Sequence, residues 1–251
     1  MAELSSGPPT RSGGTQLLQD QIKELILRLD LSAGDAMPTE AELATRLNVG
    51  RNSVREAIKA LQAVGIVEVR RGRGMYVGKM SLGALVDELT FHTRITLRDG
   101  RSGLAELTEV REALESGLAQ RMIIREQGPD LRELGQVLET MEQEARAGRI
   151  SPAVDRLFHE VLFRPLGNTL VSRLLGAFWD TFHQIEHELA PATEPPIATL
   201  QRHRAIYAAI AAADPAATAT AMAAHFAGVR HRLASPPTSM CEMPDGKSGS
   251  A

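Results

Sequence analysis

The 251-residue sequence predicts a mainly α-helical protein of two domains, the first of which ends in a β-hairpin. Alanine is abundant and aromatic residues make up only 4% of the chain, a composition that favours close-packed helices over sheets of bulky residues. After residue 80, apolar residues recur with helical spacing and are interrupted only near segments that contain glycine or proline. Before residue 80, three helical patterns precede a hairpin pattern. A chain of this length accommodates two domains of ordinary size.

Three helices are predicted before the hairpin. The second begins after Thr39, whose hydroxyl can cap the helix while the side chain of Glu42 reaches back to it, an arrangement known as a capping box. A short turn at 48–50 leads into the third helix, which Gly65 ends. The first helix ends at AGDAMP, where the helical spacing breaks. The apolar stripes that define the first and third helices are Leu18, Ile22, Leu25, Ile26 and Leu29, and Val54, Ile58, Leu61 and Val64.

The segment IVEVRRGRGMYVG has the pattern of a β-hairpin with a basic, glycine-containing tip. Three helices followed by a hairpin describe a winged helix-turn-helix, so the predicted fold is this domain followed by an all-α helical bundle. The tails of the chain are rich in Gly, Ser, Pro and Thr and are predicted to be disordered. The predicted boundaries are 1–14 for the first tail, 15–79 for the winged helix-turn-helix domain, 80–234 for the helical domain and 235–251 for the second tail.

Positive charge is concentrated in the first domain. The formal net charge is −3, but residues 15–79 carry 10 lysines and arginines against 8 acidic residues, whereas residues 80–251 carry 17 against 22. This distribution favours a nucleic-acid partner for the first domain alone. The single cysteine, Cys241, rules out an internal disulfide, and neither a signal sequence nor a run of 18 apolar residues is present. We therefore expect a soluble, cytoplasmic protein without a membrane partner.

The third helix and the hairpin tip carry the residues expected to contact DNA. Arg51 and Arg55 lie four residues apart at the start of this helix, where a recognition helix places its side chains near base edges, and arginine can fork onto guanine. The hairpin can enter the minor groove or follow the phosphate backbone. An isolated arginine pair is more often a solvated helix face, but the capped helix, turn and basic hairpin together favour DNA. The predicted DNA-binding residues are Arg51, Asn52, Ser53, Arg55, Arg71, Gly72 and Arg73.

A possible metal site lies in the second domain. Asp155 and His159 are four residues apart and share a helix face, and His203 and His225 each lie on a later helix with apolar periodicity. Three imidazoles and a carboxylate suit Zn, Ni, Mn or Fe and leave coordination positions open. Two other interpretations remain: the histidines are hydrogen-bonded core residues, or His183 and His187, also four apart, are ligands instead.

The stretch MPTEAELATRLNVGRNSVREAIKALQAVGIVEVRRGRGMYV resembles the winged helix-turn-helix of GntR-type bacterial transcription regulators. The resemblance implies that Arg51, Arg55 and Gly72 contact DNA and that the protein is not an enzyme. Two positions depart from the family pattern. Gly50 stands where the family usually has Ser or Thr, so a hydroxyl cap and a phosphate contact are lost, and Ala41 stands where many members have Arg. The operator preference of relatives should therefore not be transferred to this protein.

Residues 82–233 resemble the all-helical FCD effector domain of the FadR branch of that family, in which an Asp-x3-His pair and two later histidines hold a metal. DRLFH, RHRAIYAAI and DPAATATAMAAHF match at each ligand position. The resemblance implies that Asp155, His159, His203 and His225 are the metal ligands, with Zn as our first choice. His183 and His187 fall outside the motif.

The resemblance also implies that a small organic or sugar acid binds beside the metal. Arg111 is the candidate for the effector carboxylate, and a surface ion pair with Glu115 is the competing interpretation of this arginine. We expect a homodimer that binds a near-palindromic operator as a repressor and leaves it when the acid binds, an activator being the other possibility. The alternatives are a metal-dependent hydrolase fused to a DNA-binding anchor and a regulator that senses the metal itself.

Overall fold

The computed structural model describes residues 11–98, 103–124, 128–188 and 194–233 of the chain. The chain divides into two compact units between Leu85 and Val86, a few residues beyond the predicted boundary. Residues 1–10 and 235–251 of the predicted tails lie outside the described residues. The first tail was predicted to extend to residue 14, but a helix begins at Arg11. This prediction was wrong because an existing helix extends by further residues at little cost once its first turn has formed.

The first unit has the predicted order of three helices and a hairpin. Helices α1 and α2 both pack against α3, and β1 packs against the same helix. Apolar side chains from all five elements form one core, in which Ile22, Leu43 and Val54 are fully buried. The elements are α1 (Arg11–Arg28), α2 (Glu40–Leu47), α3 (Arg51–Ala63), β1 (Val67–Arg70) and β2 (Gly74–Val77).

The turn between α2 and α3 is defined by its caps. The backbone N–H of Glu42 donates to the Thr39 hydroxyl and the Glu42 carboxylate accepts from the Thr39 backbone N–H, so the predicted capping box is confirmed. Asn48 ends α2 in the left-handed conformation, with φ of 53°. Gly50 then precedes α3 without any side-chain cap, as expected for a residue that has no hydroxyl. This turn places the start of α3 at the surface of the unit.

The wing is an antiparallel hairpin in which Val67 pairs with Val77 and Arg70 with Gly74. Its inward face carries the buried side chains of Val67 and Met75. The segment before α2 adds a short third pairing, because the Met37 N–H donates to the Met75 carbonyl at 2.8 Å. A bridge of this length shows no alternation of apolar and polar residues, so the periodicity of the sequence did not predict it.

The second unit is entirely helical in the part that the structure describes. Helix α10 packs against α5 and α9, α6 packs against α7 and α9, and α8 contacts α5 and α7. No helix among the described residues has the length and apolar character needed to cross a membrane. Short 3-10 turns follow α7 and α8 at Arg164–Leu166 and Glu186–Glu188. The helices are α4 (Gly83–Arg98), α5 (Gly103–Ile124), α6 (Leu131–Arg146), α7 (Pro152–Phe163), α8 (Thr169–Ile185), α9 (Pro196–Ala211) and α10 (Pro215–Leu233).

Well-defined starts hold the three helices that carry the candidate histidines. Helix α7 begins with Ser151 as its cap, and the carboxylate of Glu144 accepts from both the backbone N–H and the hydroxyl of Ser151, at 2.6 and 3.0 Å. Helix α9 has Pro196 in its first turn, where proline's missing N–H costs nothing. At the start of α10, the Asp214 carboxylate accepts from two backbone N–H groups. Fixed starts set the register of each helix and hence the direction of its histidine.

Candidate metal centre and nucleic-acid interface

His159, His203 and His225 converge in the core of the second unit from α7, α9 and α10. One ring nitrogen of each lies within 4.8 Å of the others, and the ring centroids are 4.7 to 5.5 Å apart. All three side chains are buried. The Nε2 atoms of His159 and His225 have no hydrogen-bond partner within the described part of the chain. Two nitrogens on one zinc ion lie at most about 4 Å apart, so small ring movements would let one ion share all three.

His203 is oriented by its own helix and faces Asp155. Its Nδ1–H donates to the Thr199 carbonyl oxygen at 2.9 Å, which leaves Nε2 as the free ring nitrogen. This Nε2 lies 2.8 Å from the Asp155 carboxylate, whose side chain is the only partly exposed one of the four predicted ligands. Two arrangements fit this distance: a proton shared by the nitrogen and the carboxylate oxygen, or a cation bound by both atoms. The predicted Asp-x3-His pair is therefore brought to one place together with the later histidines.

Glu115 on α5 joins Arg111 to His159. Its carboxylate oxygens lie 2.5 Å from Arg111 Nε and 2.6 Å from His159 Nδ1, and no part of its side chain is exposed. A carboxylate at Nδ1 holds the imidazole ring with Nε2 turned toward a metal, which is the usual support of a histidine ligand. The sequence analysis considered Glu115 only as a surface partner of Arg111. Both residues are in fact buried, and this connection to the histidines was missed.

The buried face of helix α5 contains polar as well as apolar residues. Leu118 is buried, but Val110 is 58% exposed, whereas Arg111 is only 8% exposed. The buried face also includes Thr108 and Glu115, so the apolar residues alone do not show which face of the helix is buried. The sequence did contain a signal for this polar buried face, because Thr108, Arg111 and Glu115 follow one another at helical spacings of three and four residues.

Burial and neighbouring charges shift three pKa values at this centre. Burial favours the neutral acid at Glu115, but the charges of Arg111 and His159 outweigh it and lower the pKa of Glu115 to about 2. At Asp155, burial is likewise outweighed by the contact with His203 and the nearby positive charges, and its pKa is also lowered to about 2. Burial, followed by the charges of His203 and His159, lowers the pKa of His225 well below its ordinary value. These shifts favour ionised Asp155 and neutral His225 at neutral pH, the forms in which these two residues bind a metal.

A cavity of about 390 Å³ borders this centre. Nη2 of Arg111 is buried without a described partner. The residues of the centre and its surroundings that line the cavity include Arg111, Asp155, Trp179 and His225. The Arg111 guanidinium lies over the Trp179 ring, 3.8 Å from its centroid. Buried donors, a carboxylate and an aromatic wall in one cavity are typical of a site for a small polar ligand.

The lining of the cavity also includes an arginine that the sequence analysis did not select. Arg202 forms an ion pair with Glu194, and both residues line the cavity. Its guanidinium lies against Gly228, where an added Cβ would be 2.3 Å from Nη1. The glycine therefore provides the room that this arginine occupies.

His183, one of the two alternative ligands, is not part of this centre. The His183 side chain is 73% exposed, and its Nδ1 lies 3.6 Å from the Glu186 carboxylate. The side chain of His187 lies outside the described residues. Within the described part of the chain, the group of nearby metal-binding side chains consists of His159, His203 and His225.

The predicted DNA-binding residues are all exposed on the first unit. Arg51, Asn52, Ser53 and Arg55 lie in the first turns of α3. Arg71, Gly72 and Arg73 form the loop between the wing strands, where the Arg73 N–H donates to the Arg70 carbonyl. Gly72 has a φ of 69° and nothing within 4 Å of an added Cβ, so the turn conformation itself favours glycine here.

Two charged pairs hold parts of this surface in place. Nε and Nη2 of Arg55 donate to the Glu40 carboxylate at 3.3 and 3.2 Å. In the wing, Arg70 donates to Glu68 at 2.9 and 3.0 Å and lies over the Tyr76 ring. Arg70 therefore stabilises the strands, whereas the arginines of the loop face solvent.

Comparison with known proteins agrees with both units. Residues 15–77 match the bacterial regulatory proteins of the gntR family, and residues 106–228 match the FCD domain. The uncharacterised HTH-type transcriptional regulator Rv0494 of Mycobacterium tuberculosis is 30% identical over 221 residues, 87% of this chain and 88% of that protein. The chain belongs to the GntR family. The resemblance inferred from the sequence and the predicted fold class are thereby confirmed, and GntR-family proteins are DNA-binding transcription regulators rather than enzymes.

Two further relatives support the same assignment. The HTH-type transcriptional repressor NanR of Citrobacter rodentium is 27% identical over 228 residues, 90% of this chain and 87% of that protein. Among solved structures, Streptococcus agalactiae GntR matches with a TM-score of 0.61 and 29% identity, covering 86% of this chain and 99% of the other. This GntR protein therefore shares both parts of its chain with established family members.

The buried charge of Glu115 generates a prediction about stability. Replacing Glu115→Gln should lower the free energy of unfolding at pH 7 by about 3 kcal/mol, because Arg111 is then left buried without its counter-charge. Since the folded-state pKa of Glu115 is depressed to about 2, its contribution is complete above pH 4.5 and disappears as the pH falls from 4.5 to 2. The difference between wild type and variant should shrink over that range.

The measurement is urea denaturation in the presence of chelator, followed by the emission of Trp179, the only tryptophan of the chain, which reports on the second unit. Glu112→Gln on the same helix is the matched control, because Glu112 pairs with Arg230 near the surface and should contribute less than about 1 kcal/mol. Equal losses in the two variants at pH 7 would contradict the importance of the buried pair.

Proposed function

We propose that this GntR-family regulator is a cytoplasmic repressor that a small organic or sugar acid releases from its operator. The observation that carries the proposal is the arrangement of the second unit, in which three buried imidazoles converge beside a cavity that His225 and Arg111 line. Nε2 of His159, Nε2 of His225 and Nη2 of Arg111 are buried without a described partner. Unpartnered buried polar groups cost free energy. A metal ion and an anionic ligand would together supply the missing partners.

The metal would be held by His159, His203, His225 and Asp155, with Zn first and Ni, Mn or Fe as alternatives. When bound, the ion supplies positive charge that can attract a carboxylate oxygen of the effector. Arg111 lies at the same cavity and can donate from Nη2 to the effector's other oxygen. Glu115 keeps both His159 and Arg111 in position by accepting from each.

On the DNA side, we propose that Arg51, Asn52, Ser53 and Arg55 read bases or phosphates in the major groove and that the wing loop follows the adjacent backbone. A homodimer would match a near-palindromic operator. The relative NanR is named a repressor, which supports the choice of repression here. Effector binding can weaken operator binding only through its different affinity for the two states, and a typical coupling of about 1 to 3 kcal/mol changes operator affinity about 5- to 150-fold.

The metal centre can be tested through Trp179, whose ring lies 5.5 Å from the ring of His159. Titrating chelator-treated protein with Ni²⁺ should quench tryptophan emission saturably, because an open-shell ion at this distance quenches the excited indole. In the His203→Ala variant, half-maximal quenching should require a Ni²⁺ concentration at least about 10-fold higher, since one ligand has been removed.

His183→Ala is the matched control for the Ni²⁺ titration, because His183 is exposed and lies outside the cluster. The tryptophan emission of this variant should be quenched at the same Ni²⁺ concentrations as that of wild type. Equal quenching curves for all three proteins would place the ion elsewhere and contradict the proposed centre.

The DNA surface can be tested with an operator selected from a library of random duplex DNA. Arg51→Ala should weaken binding to that operator by about 1 to 3 kcal/mol and relax the preference at one base position in each half-site. Arg28→Ala removes the same charge from the exposed end of α1 and should change affinity by no more than about 0.5 kcal/mol. Equal losses in both variants would indicate that Arg51 contributes only general positive charge.

The regulatory response can be tested on the same operator with citrate, D-glucuronate and L-lactate as probe acids. At least one of them should weaken operator binding about 5- to 150-fold, and chelator-treated protein should not respond. Fluorescence anisotropy of labelled operator DNA gives the affinities. Release by metal alone would instead support a metal sensor, and no response to any acid would contradict the proposed effector class.

A further inference from the structure

Trp179 is a buried hydrogen-bond donor that has no acceptor. Its side chain is 6% exposed, and Nε1 has no hydrogen-bond partner in the described part of the chain. The same residue lines the cavity beside the candidate metal centre. A buried indole N–H normally finds a partner, because leaving it unsatisfied costs about 1 to 3 kcal/mol. An acceptor in the cavity would remove this cost.

A second unused donor lies directly next to it. The Arg111 guanidinium covers the face of the indole ring, and Nη2 of Arg111 is also buried without a described partner. The other side of this arginine is already used, because its Nε donates to Glu115. Two adjacent free donors, one charged and one neutral, match the two acceptor oxygens of a carboxylate.

A purely structural role for Trp179 leaves part of this arrangement unexplained. As a flat support for the guanidinium, the ring needs only its π face, and phenylalanine provides such a face. The N–H adds nothing to that support and carries a desolvation cost. An unused donor on a residue that lines the cavity therefore points to a ligand rather than to packing.

We propose that Trp179 is an effector-binding residue whose indole N–H donates to one carboxylate oxygen of the acid, while Nη2 of Arg111 donates to the other. The proposal rests on the proposed function, because it assumes that an acid enters this cavity. It adds a neutral donor that favours planar carboxylates with both oxygens free. Trp179 would also sense occupancy directly, since it is the only tryptophan of the chain.

The test compares Trp179→Phe with wild type by calorimetric titration of citrate, D-glucuronate and L-lactate into zinc-loaded protein. Phenylalanine keeps an aromatic face for Arg111 but removes the N–H. For each acid that binds wild type, the variant should bind about 10-fold more weakly, as expected for one lost hydrogen bond to a charged acceptor. Its zinc stoichiometry should equal that of wild type, because no metal ligand has changed.

Thr181→Val is the matched control. Thr181 lies two residues further along α8, its hydroxyl is also buried without a described partner, and it does not line the cavity. This variant removes an unsatisfied polar group of the same helix and should bind the acids like wild type. In wild type, each acid that binds should also change the emission of Trp179, with the same dissociation constant as in calorimetry.

The outcomes separate the two proposals. If an acid binds wild type and Trp179→Phe with equal affinity, the role of Trp179 is wrong and the acid-responsive function survives. A variant that loses zinc together with the acid would show that Trp179 only supports the metal centre, which also overturns the assignment. If none of the acids binds wild type, the proposed effector class fails, and the binding role of Trp179 fails with it.

Discussion

The interaction on which the second unit depends is the buried contact of Glu115 with Arg111 and His159. A fully buried carboxylate is costly, and only two positively polarised neighbours at hydrogen-bonding distance make its ionised form stable. The contact ties α5 to α7 and turns Arg111 toward the cavity. It also fixes Nδ1 of His159, so that Nε2 remains for another partner. Stability and ligand chemistry are thus linked through one carboxylate.

This linkage gives the proposed effector a route to several helices. His159, His203 and His225 come from three helices that meet only in the core, and each helix is held at its start by its own cap or proline. A ligand that draws their ring nitrogens together acts on the packing of α7, α9 and α10 at once. An acid that also engages Arg111 acts on α5 through the same carboxylate. The energy available for switching is limited to the difference in ligand affinity between two packings.

Sequence reasoning succeeded where local chemistry decides the structure. Thr39 and Glu42 defined a capping box, and the Asp155 to His159 spacing placed two side chains on one helix face. It failed where tertiary packing decides. Glu115 was considered a surface residue, but it is buried because Arg111 and His159 are its partners, and apolar periodicity cannot reveal such a contact. Trp179 and Arg202 carry no motif, and only the fold brings them to the cavity.

The predicted guanine contact of Arg55 has to be reconciled with its contact to Glu40. Nε and Nη2 of Arg55 already donate to that carboxylate, so a base contact must either use the remaining N–H groups of Nη1 and Nη2 or break the pair. The magnitudes decide between the two. An exposed ion pair contributes about 0 to 1 kcal/mol, whereas a good bidentate contact to guanine discriminates by about 1 to 3 kcal/mol. The pair is therefore weak enough to yield at the operator, yet away from DNA it keeps the guanidinium from other anions.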